Sequence, residues 1–142
     1  MDSRIESRVG VRADSQLIWD IIADLDGWGR WNPFETDVSG AIAFGGGVAL
    51  TERLPDMAER AAAYRVAEWQ PMAQLVLAEK RGWLFNTIRY FEIEELERGS
   101  CIVANGVIFS GLRGELFHDK HRKTIKAAYA EIGEGLRRLA EG

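Results

Sequence analysis

From Ser3 to Val11 hydrophobic and polar positions alternate, with Ile5, Ser7, Val9 and Val11 on one side and Arg4, Glu6 and Arg8 on the other. A period of two with one charged face predicts a strand that is wet on one side. The spacing then changes to steps of three and four. Leu17, Ile18, Ile21, Ile22 and Leu25 form one apolar stripe, which predicts a helix over 16–25 with Asp14 or Ser15 as its cap. The stretch from Asp24 to Phe34 follows, carrying Trp28, Trp31 and Phe34 among Gly27, Gly29 and an Asn32-Pro33 break. Glycine and proline end regular structure, yet tryptophan is rarely left in water. A loop or single helical turn folded back onto an apolar surface is therefore expected here.

From Thr36 to Gly111 the chain reads as strands and turns. Strands are predicted over 36–44, 48–54, 60–69, 75–79, 87–96 and 101–110, with breaks at Gly45–Gly47, Pro55-Asp56, Gln70-Pro71, Arg81-Gly82 and Arg98–Ser100. Such short connections suit antiparallel hairpins and leave no room for crossover helices. The remainder, 113–141, is a long helix despite Gly133 and Gly135, each of which costs about 1 kcal/mol relative to alanine. Phe117, His121, Ile125, Ala128, Ile132, Leu136 and Leu139 fall within a sector of ~100°. A stripe that long must lie against the sheet. The expectation is an α+β fold, one domain over 1–142. A curved antiparallel sheet of six to seven strands wraps around the C-terminal helix, and two short helices follow the first strand.

Composition narrows the function classes. A net charge of -4 and a pI near 5.3 argue against a nucleic-acid surface. The one basic cluster, Lys120, Arg122, Lys123 and Lys126, sits on what reads as the wet side of the last helix. The lone Cys101 excludes an internal disulfide and lies in an apolar strand, as a buried thiol rather than a nucleophile. No run approaches the ~18 apolar residues of a membrane span, and the N-terminus lacks the apolar core of a secretion signal, so a cytoplasmic protein is expected. No acidic or cysteine set joins His118 and His121, so neither metal nor cofactor is expected. There is no Gly-x-Ser-x-Gly elbow and no pair of inward carboxylates, and Gly45–Gly47 reads as a hairpin turn rather than a phosphate loop.

The order of elements resembles the START-like superfamily, also called the SRPBCC or polyketide cyclase-like group. The residues that carry the resemblance are Ile18-Trp19, Trp31–Phe34, Val38–Gly40, Trp69–Pro71, Arg89–Phe91 and Phe109–Gly111, with the closing amphipathic helix. The resemblance implies a helix-grip fold over essentially the whole chain. It leaves function open among lipid and hormone carriers, aromatase/cyclase domains, allergen-like binders and co-chaperone domains.

A curved sheet and one helix leave internal room unless large side chains fill it. Ala61, Ala63 and Ala67 are read on one face of their strand with Arg65 and Trp69, and Ala62, Tyr64, Val66 and Glu68 on the other. Trp31, Phe34, Trp69, Trp83, Phe91, Val107, Phe109, Phe117 and Ile125 either fill the interior or line a cavity in it. Three polar residues share faces with them: Arg89 with Phe91, Asn105 with Val107 and Phe109, and His121 with Phe117 and Ile125. Arg89 either pairs with a strand carboxylate such as Glu52, Glu68 or Glu79, or meets a ligand. Asn105 either bonds to backbone near Gly106 or faces the cavity, and His121 either frays into solvent or joins them. Converging, the three form a donor-rich wall in an apolar pocket. An Arg89 without a protein partner predicts a ligand with a carboxylate, phenolate or carbonyl end.

The expected function is binding of a small hydrophobic or aromatic ligand such as a lipid, polyketide or isoprenoid. The alternatives are a polyketide cyclase or dehydratase using the same cavity, and a co-chaperone-like interaction module. A homodimer paired through edge strands, with Trp28 as an exposed contact, is a further possibility.

Overall fold

The structure is a computed structural model and describes residues 3–142. The chain runs β1 (Ser3–Val11), α1 (Ser15–Ala23), a 3-10 helix (Leu25–Arg30), β2 (Glu35–Gly40), β3 (Gly47–Glu52), β4 (Arg60–Gln70), β5 (Gln74–Gly82), β6 (Phe85–Glu97), β7 (Ser100–Ser110) and α2 (Leu112–Glu141). All seven strands form one antiparallel sheet in the order β1-β7-β6-β5-β4-β3-β2, curled around α2. Among the described residues no helix is long and apolar enough to cross a membrane.

Most boundaries follow the sequence pattern, and the departures have local causes. The second strand stops at Gly40 rather than Phe44. Gly40 takes a φ of +127°, and the carbonyl of Gly47 approaches to where a side chain would stand. The hairpin beyond it leaves Phe44 exposed. The strand from Arg60 carries a bulge between Val66 and Glu68. One extra residue shifts every later side chain to the opposite face. Trp69 therefore faces Leu75 on the inner side, with Val66, instead of sharing the outer face of Ala61, Ala63 and Arg65. The fifth and sixth strands run further than expected and meet in a tight hairpin at Trp83-Leu84.

The Trp/Gly stretch is anchored from within. Trp28 is fully buried, and its indole N–H donates to the carbonyl of Ile22 at 2.8 Å, closing the 3-10 helix onto the end of α1. Trp28 is thus a core residue, not the exposed contact expected. Its ring packs with Trp31 (5.3 Å between centroids) and edge-on to Phe91 (5.4 Å).

α2 lies chiefly along β1, β7 and β6. Its buried side is Ile125, Ala128, Tyr129, Ile132 and Leu136, with Gly133 fitted against Val9 and Asn105. Gly135 lets the helix touch the loop after the 3-10 helix: a Cβ there would stand 2.0 Å from the carbonyl oxygen of Trp31. Alanine is the better helix former, so propensity alone would make Gly135→Ala stabilising by about 1 kcal/mol. Because the obstacle is backbone, we expect overpacking to prevail and Gly135→Ala to destabilise by about 1–3 kcal/mol in denaturant unfolding. Gly29→Ala, where a Cβ meets nothing within 4 Å, is the control and should leave the midpoint unchanged.

Candidate functional site

The interior holds two polar regions, one closed and one open. The closed region begins with Asn32, just before Pro33. Its side-chain oxygen accepts from the backbone N–H groups of Phe34 (3.1 Å) and Glu35 (2.9 Å), and its amide donates to Glu35 Oε1 (3.0 Å). That turn aims the Glu35 carboxylate inward as β2 begins. Arg89 reaches it from β6, with β5, β4 and β3 lying between them in the sheet. Both side chains are essentially without solvent contact (0% and 1% exposed).

The Arg89 guanidinium is satisfied at every donor position. Nε and Nη2 donate to the two Glu35 oxygens at 3.0 and 2.7 Å, Nη2 also to Asn105 Oδ1 at 3.2 Å, and Nη1 to the carbonyls of Tyr90 (3.2 Å) and Gly106 (3.1 Å). Asn105 passes its own amide on to the carbonyl of Tyr129 at 3.1 Å. The guanidinium plane lies over the rings of Tyr129 (4.1 Å) and Phe91 (4.5 Å). Burial alone would raise the Glu35 pKa, but the Arg89 charge and its hydrogen bonds outweigh it and hold the carboxyl below the ordinary carboxylate value. Burial likewise opposes the charge on Arg89, and Glu35 reverses it, raising the arginine further. Tyr129 is raised well above 10, chiefly by burial.

The open region lies on the other side of the sheet's inner face. Glu52, opposite Glu35 in the β2–β3 register, is held by Arg60 at 3.1 Å, and Arg60 also reaches Glu79 at 2.8 Å. Arg60 Nη2 is buried with no hydrogen-bond partner, as is the hydroxyl of Thr87, directly opposite Glu79 in β6. A pocket of about 380 Å³ opens beside them, lined by Glu52, the 56–59 loop, Arg60, Arg81, Phe117 and His121. Behind its helix wall Phe85, Phe109 and Phe117 form an aromatic cluster with centroids 5.1 to 6.2 Å apart. His121 stacks on Phe117 at 4.5 Å. The Arg81 guanidinium lies over Phe85 (4.4 Å) and Phe117 (4.7 Å). Burial, then the neighbouring Lys120 and Arg81 charges, lower the His121 pKa below 6.5, so its imidazole is neutral at pH 7.

A larger cleft of about 680 Å³ lies between residues 29–33 and the last turns of α2. Its charged lining is the exposed Arg30, Glu131 and Arg138 with the half-buried Glu134, which is bonded to Arg137, and its one orphaned buried donor among the described residues is the neutral indole N–H of Trp31. Among the described residues no group of His, Cys, Asp and Glu stands as a metal-ligand set.

The structure divides the twelve residues singled out from sequence. Arg89 and Asn105 meet, but each is committed to protein partners; the acid is Glu35, not Glu52, Glu68 or Glu79. His121 does not join them and stands in the pocket with Phe117, in front of Phe109. Trp31 and Phe91 pack with Trp28, 5.9 Å apart from each other. Val107, opposite Arg89, and Ile125 are buried in the core. Phe34 is half-buried against it, and Trp69 meets Phe44 edge-on at 5.8 Å. Trp83 is 77% exposed at the β5–β6 hairpin. The hairpin tip carries it past the end of the inner face.

Residues that sequence reasoning passed over include Glu35, Arg60, Arg81 and Tyr129, and Glu79 was considered only as a partner for Arg89. Period two was a usable signal for three of them: Arg60 precedes Ala62 and Tyr64, and Glu79 and Arg81 continue Leu75 and Leu77.

Three structural neighbours place this geometry. The di-domain aromatase/cyclase StfQ of the steffimycin biosynthetic pathway superposes with a TM-score of 0.78 at 10% identity, covering 99% of this chain and 51% of that one. The Zhui aromatase/cyclase of Streptomyces sp. R1128 gives 0.72 at 15% identity, covering 98% and 96%. A START superfamily protein of Mycobacterium smegmatis gives 0.76 at 16% identity, covering 97% of each chain. The fold is START-like. No family model and no curated protein matches the sequence itself. The chain spans about half the length of the StfQ di-domain protein, and the START-like fold says nothing by itself about which ligand is held.

The closed region generates a stability prediction. Arg89→Met leaves Glu35 buried and unpaired and should cost about 3–5 kcal/mol in denaturant unfolding. The double variant Arg89→Met/Glu35→Leu should cost clearly less than the sum of the single changes. The folded-state pKa of Glu35 is depressed, so its contribution is full above about 4.5 and lost as pH falls through the folded value. A plot of unfolding free energy against pH should therefore fall less steeply below pH 4.5 in Glu35→Gln than in wild type.

Proposed function

We propose that this chain binds a small hydrophobic or aromatic molecule in the pocket between β3–β5 and the first half of α2. The observation that carries the reading is the pairing of an aromatic wall (Phe117 backed by Phe85 and Phe109) with a roughly 380 Å³ space, a volume at the lower end for small-molecule sites. That volume holds two or three fused rings. The donors of the earlier expectation move accordingly: Arg89 and Asn105 are spent on the protein, and Arg81 and His121 take their place at the ligand. The aromatase/cyclase neighbours support an aromatic ligand.

A second reading, cyclisation or dehydration of such a ligand, has one observation in its favour. A neutral imidazole at His121 faces the pocket and can accept a proton at neutral pH. Turnover of a polyketide-like chain whose loss in His121→Ala far exceeds any loss of ligand affinity would support it over simple carriage.

Binding is tested with a neutral apolar dye, N-phenyl-1-naphthylamine, followed by its fluorescence. Wild type should saturate at micromolar dye. Ala58→Trp, which fills the pocket mouth from the exposed 56–59 loop, should weaken binding at least about tenfold while leaving the melting temperature unchanged. Equal binding by the two proteins would place the dye elsewhere and remove the support for this pocket.

A further inference from the structure

Three donors around the pocket are left over once the protein's own bonds are counted. Arg60 gives Nε to Glu52 and Nη1 to Glu79, but Nη2 is buried with no acceptor. Thr87 is buried, and its hydroxyl has no partner. Arg81 makes no hydrogen bond or ion pair with any described residue. Its guanidinium is held only by the faces of Phe85 and Phe117.

The two arginines respond oppositely to similar surroundings. Both are opposed by burial, but Glu52 and Glu79 raise Arg60 above its ordinary pKa. Arg81 is lowered, first by burial and then by repulsion from Arg60. Arg81 is half-buried, and a cation shielded in part from water with no acceptor among the described residues gains from any anion that supplies one. The acids that line the pocket do not: Glu52 is committed to Arg60, Glu59 to Arg53 at 2.6 Å, and Asp56 lies exposed on the rim loop.

We infer that the ligand of this pocket is an aromatic carboxylate, its ring against Phe117 and its carboxylate on the free Arg81 fork, with Arg60 Nη2 close by. Arginine matches a carboxylate through two parallel N–H···O bonds, and its flat fork is already oriented here by two phenyl rings. The same stacking leaves the guanidinium edge, where the donors are, free for the ligand. This inference rests on the pocket being the ligand site.

Its test uses a matched pair of probes, 2-naphthoate and the neutral 2-naphthalenemethanol, titrated calorimetrically into wild type, Arg81→Met and Arg81→Lys. Wild type should bind the naphthoate at least about tenfold more tightly, the range of one charge-assisted bond. Arg81→Met should abolish that preference, the naphthoate losing far more affinity than the alcohol, and Arg81→Lys should restore part of it. Equal affinity of wild type for the two probes, or a preference that survives Arg81→Met, would overturn the carboxylate inference while leaving the pocket in place. Binding of neither probe would overturn the pocket reading as well. Retained melting temperatures in the variants separate these outcomes from misfolding.

Discussion

A buried ion pair closes across the curl of the sheet. Glu35 and Arg89 belong to strands that never touch in the sheet, and they meet only because the strands between them bend far enough to bring β2 over β6. Taking two charges out of water costs several kcal/mol each, so such a pair persists only with nearly ideal geometry and every remaining donor matched. Here the match extends to Asn105, two strand carbonyls and the faces of two rings. A contact between apolar side chains would tolerate some sliding. A bidentate fork accepts one relation between the strands, and through Asn105 and Tyr129 it ties that relation to the helix.

This commitment closes one part of the interior and leaves another open. The helix seals the interior along its second half, where Tyr129, Ile132 and Leu136 are buried and Gly135 lies against the backbone of Trp31. Its first half, packed on β1, β7 and β6, leaves β3–β5 to meet it across the pocket. The molecule is therefore divided along the helix axis. One end spends its polar groups on holding the shape, and the other keeps some unspent.

Much of this was legible in the sequence because periodicity reports burial. The alternation of β1 and the stripe of α2 needed no tertiary information, and the inward placement of Arg89, Asn105 and Phe117 followed from period two and period 3.6. What stayed hidden depends on partners distant in sequence. Nothing local tells Glu35 from any other acid at a strand start, since its role comes from an arginine 54 residues away. The bulge after Val66 inverted the face of Trp69, and no turn residue marks it. Trp83 shares the composition of a core position, but a hairpin tip two residues long put it in water. Tyr129, four residues after Ile125 and three before Ile132, lies at the edge of the apolar stripe, but nothing local shows that its ring covers the arginine.

The contrast among Arg89, Arg60 and Arg81 separates structural from recruitable charge better than burial does. Arg89 is the most buried, yet its five donors all have acceptors, so a ligand could reach it only by breaking the clamp. Arg60 has two carboxylates and one orphaned nitrogen, a charge already neutralised with a single bond to offer. Arg81 has aromatic faces and no acceptor among the described residues. Stacking fixes the plane of a guanidinium without consuming its N–H groups, so the entropy of orienting the fork is lost on folding rather than on binding. An inward arginine found by sequence pattern is thus a brace where its donors are all matched, as in Arg89, and open to a partner only where some are not.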